Sequence, residues 1–155
     1  MVCFLVENCK VNIKIKSKEG YSVMAFAAKY GNANILRYFN EKYYLDYNEI
    51  YDNRHILFLS IENGNLDSLK FFLDENDIDA NIKDYKGWTP MHVAAYFGQL
   101  NIIKYLVEKK DCTPFIEIDN KYTPAIIANQ QRNFDIINYL VSKFGPLKTN
   151  EIMLY

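Results

Sequence analysis

The chain has 155 residues, of which 50% are hydrophobic, and its formal net charge is −1. This composition excludes a disordered chain, and no apolar run reaches the roughly 18 residues that a membrane span needs. Lysine and acidic residues alternate along the chain, which excludes the basic face of a nucleic-acid-binding protein. We therefore expect one folded domain, residues 1–155, without membrane insertion and without nucleic acid as a partner.

The cysteines and the first residues indicate a cellular compartment. Cys3, Cys9 and Cys112 are an odd number without metal-type spacing, and the chain has no Asn-x-Ser/Thr acceptor for glycosylation. The apolar start reaches Glu7 too early for a signal peptide. We expect a reducing, intracellular location, in the cytoplasm.

A helical pattern recurs along the chain at a spacing of about 33 residues, with Gly31, Gly64 and Gly98 as anchors. The copies of the first helix are segments 22–31, 55–64, 89–98 and 123–132. A second apolar helix follows each copy, at 34–39, 66–73, 101–107 and 134–141. In the third of these, spacings of three and four place Ile103, Leu106 and Val107 on one face. The chain is therefore a repeat protein.

The clearest copy of the first helix lies at 89–98. Thr89 is expected to cap this helix, and Pro90 suits the first turn, where no backbone N–H is needed. Ala94 and Ala95 are small enough for neighbouring helices to approach closely, and Gly98 allows a left-handed turn. In the second copy, His55 and Ile56 replace Thr-Pro, so we expect that helix to lose its cap and that repeat to be the least regular.

Segment 87–94, Gly-Trp-Thr-Pro-Met-His-Val-Ala, resembles the signature of the ankyrin repeat, Thr-Pro-Leu-His-x-Ala. The resemblance covers roughly residues 20–143. It implies an all-α ankyrin-repeat solenoid of stacked helix-turn-helix units joined by short hairpin loops. The expected repeats are about 18–50, 51–83, 84–117 and 118–143, with a partial repeat at 1–17 and a C-terminal cap at 144–155.

Both ends of the chain lie part-way through a repeat. Residues 4–7 are similar to residues 105–108, which belong to a second helix. The apolar tail 144–155 could cover the last helices, since solenoids need caps at their ends. Alternatively, the chain is cut from a longer array.

The resemblance also implies a function: ankyrin arrays bind proteins with their hairpin tips and with the concave face of their first helices. It implies no catalysis, no cofactor and no metal, and we expect a monomer. Carried over by position, the protein-binding residues are Tyr21, Lys29, Tyr30, Arg54, Glu62, Asn63, Tyr85, Lys86, Trp88, Tyr96, Phe97, Tyr122 and Gln130. Further variable hairpin positions are Lys18, Glu19, Tyr51, Asp52, Asp119 and Asn120.

Among these positions, Trp88, Tyr96 and Phe97 are the expected apolar anchors, because large aromatic side chains are enriched in interface hot spots. The expected polar surroundings are Lys29, Lys86, Arg54 and Glu62. The alternative is that the tyrosines only cover neighbouring loops.

Other chemistry is poorly supported by the sequence. By resemblance, His92 is the family histidine that hydrogen-bonds within the turn and between repeats. With His55 far from it along the chain, no nucleophile–histidine arrangement is credible. Segment 77–81 begins like a calcium loop, but Ile82 occupies the position of the required glycine. Asn81 lies at a position that asparaginyl hydroxylases modify in the family.

Two other functions are compatible with the sequence. The repeats could be a regulatory or targeting segment of a larger enzyme, which the mid-repeat ends suggest. They could also belong to a parasite or viral effector that mimics a host ankyrin protein.

Overall fold

The structure is a computed structural model that describes residues 12–118 and 121–146. Contacts divide the chain into two compact units, 1–78 and 79–155. Most of the expected partial repeat 1–17, residues Cys3, Cys9, Asp119 and Asn120, and most of the expected cap lie outside the described residues.

The described part of the first unit contains two helical pairs. Its helices are α1 (Val23–Tyr30), α2 (Ala33–Tyr43), α3 (Leu57–Glu62) and α4 (Leu66–Lys70). Side-chain oxygens of Ser22, Asn32 and Asn65 accept backbone N–H groups at the starts of α1, α2 and α4, as good N-caps do. Helix α1 packs against α3 and α2 packs against α4, so these two repeats stack as expected.

A short hairpin connects the two helical pairs of the first unit. Strands β1 (Ile50–Tyr51) and β2 (Arg54–His55) are antiparallel, and they form the one sheet among the described residues. Asp52 and Asn53 link them with φ of 51° and 59°. Two successive left-handed residues match the twist of a tight hairpin. The hairpin presents Tyr51 and Arg54 just before α3.

The second repeat is the least regular, as predicted. Helix α3 has 6 residues, and α4 continues as a π-helical turn, Phe71–Glu75. The N-cap residue of α3, Ile56, makes no side-chain cap hydrogen bond, as predicted, but Nδ1 of the preceding His55 accepts the backbone N–H of Leu57 at 3.0 Å. The imidazole nitrogen replaces the missing threonine oxygen as the acceptor at this helix start.

The second unit also contains two helical pairs. Its helices are α5 (Pro90–Tyr96), α6 (Leu100–Lys109), α7 (Pro124–Gln130) and α8 (Phe134–Phe144). A proline opens both α5 and α7, and Thr89 and Thr123 precede them as predicted. Helix α5 packs against α7, and α6 packs against α8.

The buried residues of the second unit match the predicted faces. Ala94 and Ala95 are fully buried where α5 meets its neighbours, which leaves room for close helix packing. The predicted face of Ile103, Leu106 and Val107 is buried, whereas Lys104, Glu108 and Lys109 are exposed. In the described part of the chain, no helix is long and apolar enough to cross a membrane.

Candidate functional site

The second unit exposes a contiguous group of aromatic rings. The ring centroids of Trp88 and Tyr96 are 5.5 Å apart at an interplanar angle of 66°, and those of Tyr96 and Phe97 are 5.1 Å apart at 73°. Such edge-to-face contacts are favourable for aromatic pairs. Tyr96 is 43% exposed, Phe97 is 46% exposed and Trp88 is half-buried. We call these three residues the Trp88 surface.

Local structure explains how these rings meet. The side chain of Asp84 accepts the backbone N–H of Trp88 at 2.8 Å, and the carbonyl oxygen of Trp88 accepts the N–H of Asp84 at 2.9 Å. This closed turn presents the indole beside α5. Tyr96 is the last residue of α5 and Phe97 is its C-cap, so both lie where the helix ends. Gly98 then reverses the chain with φ of 72°, as predicted.

Two more predicted binding residues lie on the hairpin that carries Trp88. Tyr85 and Lys86 are exposed at its tip, and Nζ of Lys86 is 5.3 Å from the centroid of the Tyr85 ring. The hairpin of the next repeat presents Tyr122, which is half-buried, and Gln130 is exposed at the end of α7.

The first unit exposes a group of different chemistry around Lys29. The ammonium group of Lys29 donates a hydrogen bond to the phenol oxygen of Tyr21 at 3.0 Å. The rings of Tyr21 and Tyr51 stack with centroids 4.3 Å apart, and Nζ of Lys29 is 5.2 Å from the centroid of Tyr30. We call Tyr21, Lys29, Tyr30 and Tyr51 the Lys29 surface.

The contact between Lys29 and Tyr21 changes the acidity of both groups. The hydrogen bond that Lys29 donates to Tyr21 lowers the pKa of Tyr21 and raises the pKa of Lys29. Both shifts have the same cause, since the ammonium cation stabilises negative charge on the phenol oxygen. Lys29 is therefore a cation at neutral pH.

The second repeat carries a charged pair at the corresponding positions. The guanidinium of Arg54 donates a hydrogen bond to the carboxylate of Glu62. Their side chains are only 19% and 15% exposed. The charges of these two predicted binding residues are engaged with each other, whereas Asn63 beside them is exposed.

The three repeats thus share one arrangement with three chemistries. In each, a hairpin residue contacts a residue in the last turn of the first helix: Tyr21 contacts Lys29, Arg54 contacts Glu62, and Trp88 contacts Tyr96. The structure therefore brings the predicted binding residues of each repeat together as contacting pairs. Sequence reasoning named these positions but not their pairing.

Phe26 is an exposed aromatic residue beside the Lys29 surface that the sequence pattern did not single out. Phe26 is 54% exposed, and its ring centroid is 4.9 Å from that of Tyr30. Residues spaced by four lie on the same face of a helix, so the position of Phe26 relative to Tyr30 is the signal that could have identified it.

Both histidines are buried and form hydrogen bonds within the protein. Nδ1 of His92 accepts the backbone N–H of Thr89 at 3.2 Å, so its proton resides on Nε2, which donates to the carbonyl oxygen of Ile116 at 3.0 Å. The expected hydrogen-bonding role of His92 is confirmed. His55 is buried beside Phe72, with ring centroids 5.6 Å apart. Burial lowers the pKa of both imidazoles, that of His55 to about 4.

The segment that begins like a calcium loop forms a hairpin instead. The side chain of Asp79 accepts the backbone N–H of Asn81 at 2.8 Å, and Asn81 is exposed. Over residues 12–118 and 121–146, no group of three or more His, Cys, Asp or Glu side chains is placed to hold a metal ion.

Comparison with known proteins agrees with the fold. The family model described as ankyrin repeats, three copies, matches residues 1–84 and 57–151. No curated protein shows significant similarity to the chain. Ankyrin repeats are generally protein–protein interaction modules, and they are typically non-catalytic. The matched ranges together cover nearly the whole sequence, and the chain belongs to the ankyrin repeat family.

Proposed function

We propose that the chain is a non-catalytic scaffold that binds a protein partner through the Trp88 surface. The observation that carries this proposal is the contiguous exposure of Trp88, Tyr96 and Phe97 at the end of an otherwise buried helix. Exposed apolar groups of this kind mark interaction sites, and Trp and Tyr dominate interface hot spots. Tyr85 and Lys86, at the tip of the adjacent hairpin, would form the rim.

The surroundings of the titratable groups support a non-catalytic role. His55 and His92 are both buried, and each accepts a backbone N–H through Nδ1 at the start of a helix. Neither imidazole is exposed to act as a general base on a substrate. We also propose a cytoplasmic location, since Cys112 is a free thiol, which suits a reducing compartment.

Affinity capture from a lysate of the source cell tests the proposal. The wild-type chain is compared with Trp88→Ala and with the double variant Tyr96→Ala/Phe97→Ala. The matched control is Tyr44→Ala/Phe134→Ala, which removes two aromatic side chains that are more exposed and lie outside the Trp88 surface. Circular dichroism verifies that all variants keep their helices.

The expected result is a set of proteins that wild type and control capture and both Trp88-surface variants lose. Truncation of a hot-spot residue costs about 2 kcal/mol or more of binding free energy, which is enough to remove a micromolar partner from such a capture. The proposal is wrong if the variants keep every partner, or if Trp88→Ala loses helicity in parallel with binding, since Trp88 would then belong to the core.

A further inference from the structure

We propose that the Lys29 surface binds a carboxylate of an acidic peptide segment in the protein partner. The inference rests on the proposed function, because it names the chemistry that the partner brings to the first unit. It is carried by a half-buried cation that lies among aromatic rings and has no acidic counterpart among residues 12–118 and 121–146.

The charge of Lys29 is not neutralised within the described part of the chain. No carboxylate there forms an ion pair with Lys29, whose contacts are with Tyr21 and Tyr30. An ammonium group has three donors, and the phenol oxygen of Tyr21 accepts one of them. Tyr30 also interacts with this ammonium group, and the donor that remains can meet an acceptor from another molecule.

Nearby carboxylates in the same unit are already engaged. Glu62, which acts electrostatically on Tyr21, is paired with Arg54. Glu49 accepts a hydrogen bond from Ser22 and lies 3.8 Å from the ammonium of Lys16. The exposed charged residues at the hairpin tips are Lys18, Glu19 and Asp52; Asp52 acts electrostatically on Tyr51, and neither carboxylate forms an ion pair with Lys29. The uncompensated charge of this surface is therefore that of Lys29.

The surrounding rings make the binding of a carboxylate to Lys29 more favourable than it would be in open solvent. The stacked rings of Tyr21 and Tyr51 and the ring of Tyr30 exclude water from one side of the ammonium, which strengthens its interaction with an anion. Tyr21 can donate its own phenol proton to the same carboxylate. Charge-assisted hydrogen bonds of this kind are stronger than neutral ones. A basic segment would instead be repelled.

Defined peptides test this inference on the full chain. The acidic probe is acetyl-Asp-Glu-Phe-Asp-Glu-Leu-amide, and its uncharged twin carries Asn and Gln in place of the acids. Titration is followed by calorimetry and by NMR signals of the tyrosine rings. We expect the acidic peptide to shift the Tyr21 and Tyr51 signals and to bind roughly tenfold more tightly than its twin. Added salt is expected to weaken only the acidic peptide.

Substitutions of Lys29 test whether this residue causes the preference for the acidic peptide. Lys29→Met and Lys29→Gln are expected to abolish the preference for the acidic peptide, and Lys29→Arg is expected to retain it because the charge remains. The matched control is Lys104→Met, which also removes a lysine placed over a tyrosine ring, at 5.6 Å from the centroid of Tyr139. Equal binding of the two peptides, no binding of either, or an equal loss in Lys104→Met overturns the inference.

This test can fail separately from the proposed function. The Trp88-surface variants keep Lys29, so they are expected to bind the acidic peptide as wild type does. Loss of partner capture in those variants, together with equal affinity for both peptides, would leave the scaffold function standing and remove only the carboxylate site. If those variants keep every partner and the acidic peptide binds more tightly than its twin, the carboxylate site stands and the Trp88 surface is not the partner surface.

Discussion

Nδ1 of His55 accepts the backbone N–H of Leu57 at 3.0 Å, although the repeat pattern has a threonine at this position. The imidazole is 5% exposed and packs edge-on against Phe72. Nε2 is also buried, without a hydrogen-bond partner in the described part of the chain. A protonated imidazole would lose its acceptor at Nδ1 and place a charge in a site shielded from water, so the folded chain needs His55 neutral.

The first prediction concerns acid stability. Burial lowers the pKa of His55 from 6.5 to about 4. Since the folded pKa is the lower one, the unfolded chain binds the proton first. The stabilisation is complete above pH 6.5 and is lost as the pH falls towards 4. The full loss is about 3 kcal/mol, and it is measured by urea denaturation at a series of pH values.

The variant His55→Asn provides the control. Its side-chain oxygen can accept the same backbone N–H but does not titrate in this range. We expect a lower stability at neutral pH, because a cavity opens beside Phe72, and a shallower loss of stability towards acid. His92 contributes a remaining slope in the same direction, since burial lowers its pKa too. An unchanged slope in His55→Asn would show that His55 is not the acid-sensitive group.

Much of the fold could be predicted from the sequence, because its signals are local. Thr89 with Pro90 and Thr123 with Pro124 mark helix starts, and Gly98 marks a reversal, without reference to the rest of the chain. The π-helical turn could not be predicted in this way. It accompanies the burial of Phe71, Phe72 and Leu73 in succession, which depends on what packs around them.

The sequence predicts which positions form the candidate site, but it does not predict which of their side chains contact each other. The family pattern selects Arg54 and Glu62 as variable residues, and the structure shows that they bind each other. The stacking of Tyr21 on Tyr51 is likewise a contact between two hairpins. The first contact depends on which side chains occupy two variable positions, and the second joins residues of different hairpins, so the repeat pattern alone predicts neither.

The second prediction concerns the turn after α5. A Cβ added to Gly98 would lie 2.9 Å from Oδ1 of Asn133, whose amide donates to the carbonyl oxygen of Ala95 at 2.8 Å. Gly87 has a similar positive φ of 77°, and a Cβ added there would meet only Cγ2 of Ile118, at 4.0 Å. Both alanine variants are strained by the positive φ, and Gly98→Ala also disturbs the Asn133 hydrogen bond. Urea denaturation should show Gly98→Ala to be less stable than Gly87→Ala by about 1–2 kcal/mol.

Equal stabilities of Gly98→Ala and Gly87→Ala would show that Asn133 moves aside without cost. A companion variant, Asn133→Ala, separates the two contributions. It removes the hydrogen bond to Ala95 but keeps glycine in the turn, so its loss of stability should approach the difference between the two glycine variants.

The third prediction compares two ion pairs of the first unit. Arg54 and Glu62 are mostly buried, whereas the side chains of Arg37 and Glu75 are 39% and 36% exposed. Glu62→Gln leaves the Arg54 charge poorly solvated, so it should lower the free energy of unfolding by about 1–3 kcal/mol. Glu75→Gln should cost less than about 1 kcal/mol, as exposed pairs do. Similar losses from the two substitutions would contradict the burial argument.

The fourth prediction uses Trp88, the single tryptophan of the chain, as a probe of its own surface. The indole is half-buried in the free protein and touches the ring of Tyr96. When a captured partner binds the Trp88 surface, we expect the emission to move to shorter wavelength and quenching by acrylamide to fall, because water leaves the indole. In Tyr96→Ala/Phe97→Ala the probe remains, and about 2 kcal/mol of lost binding free energy shifts the titration midpoint roughly thirtyfold. A partner that binds wild type with unchanged emission and unchanged quenching occupies another surface, and the Trp88 surface would then have no part in its recognition.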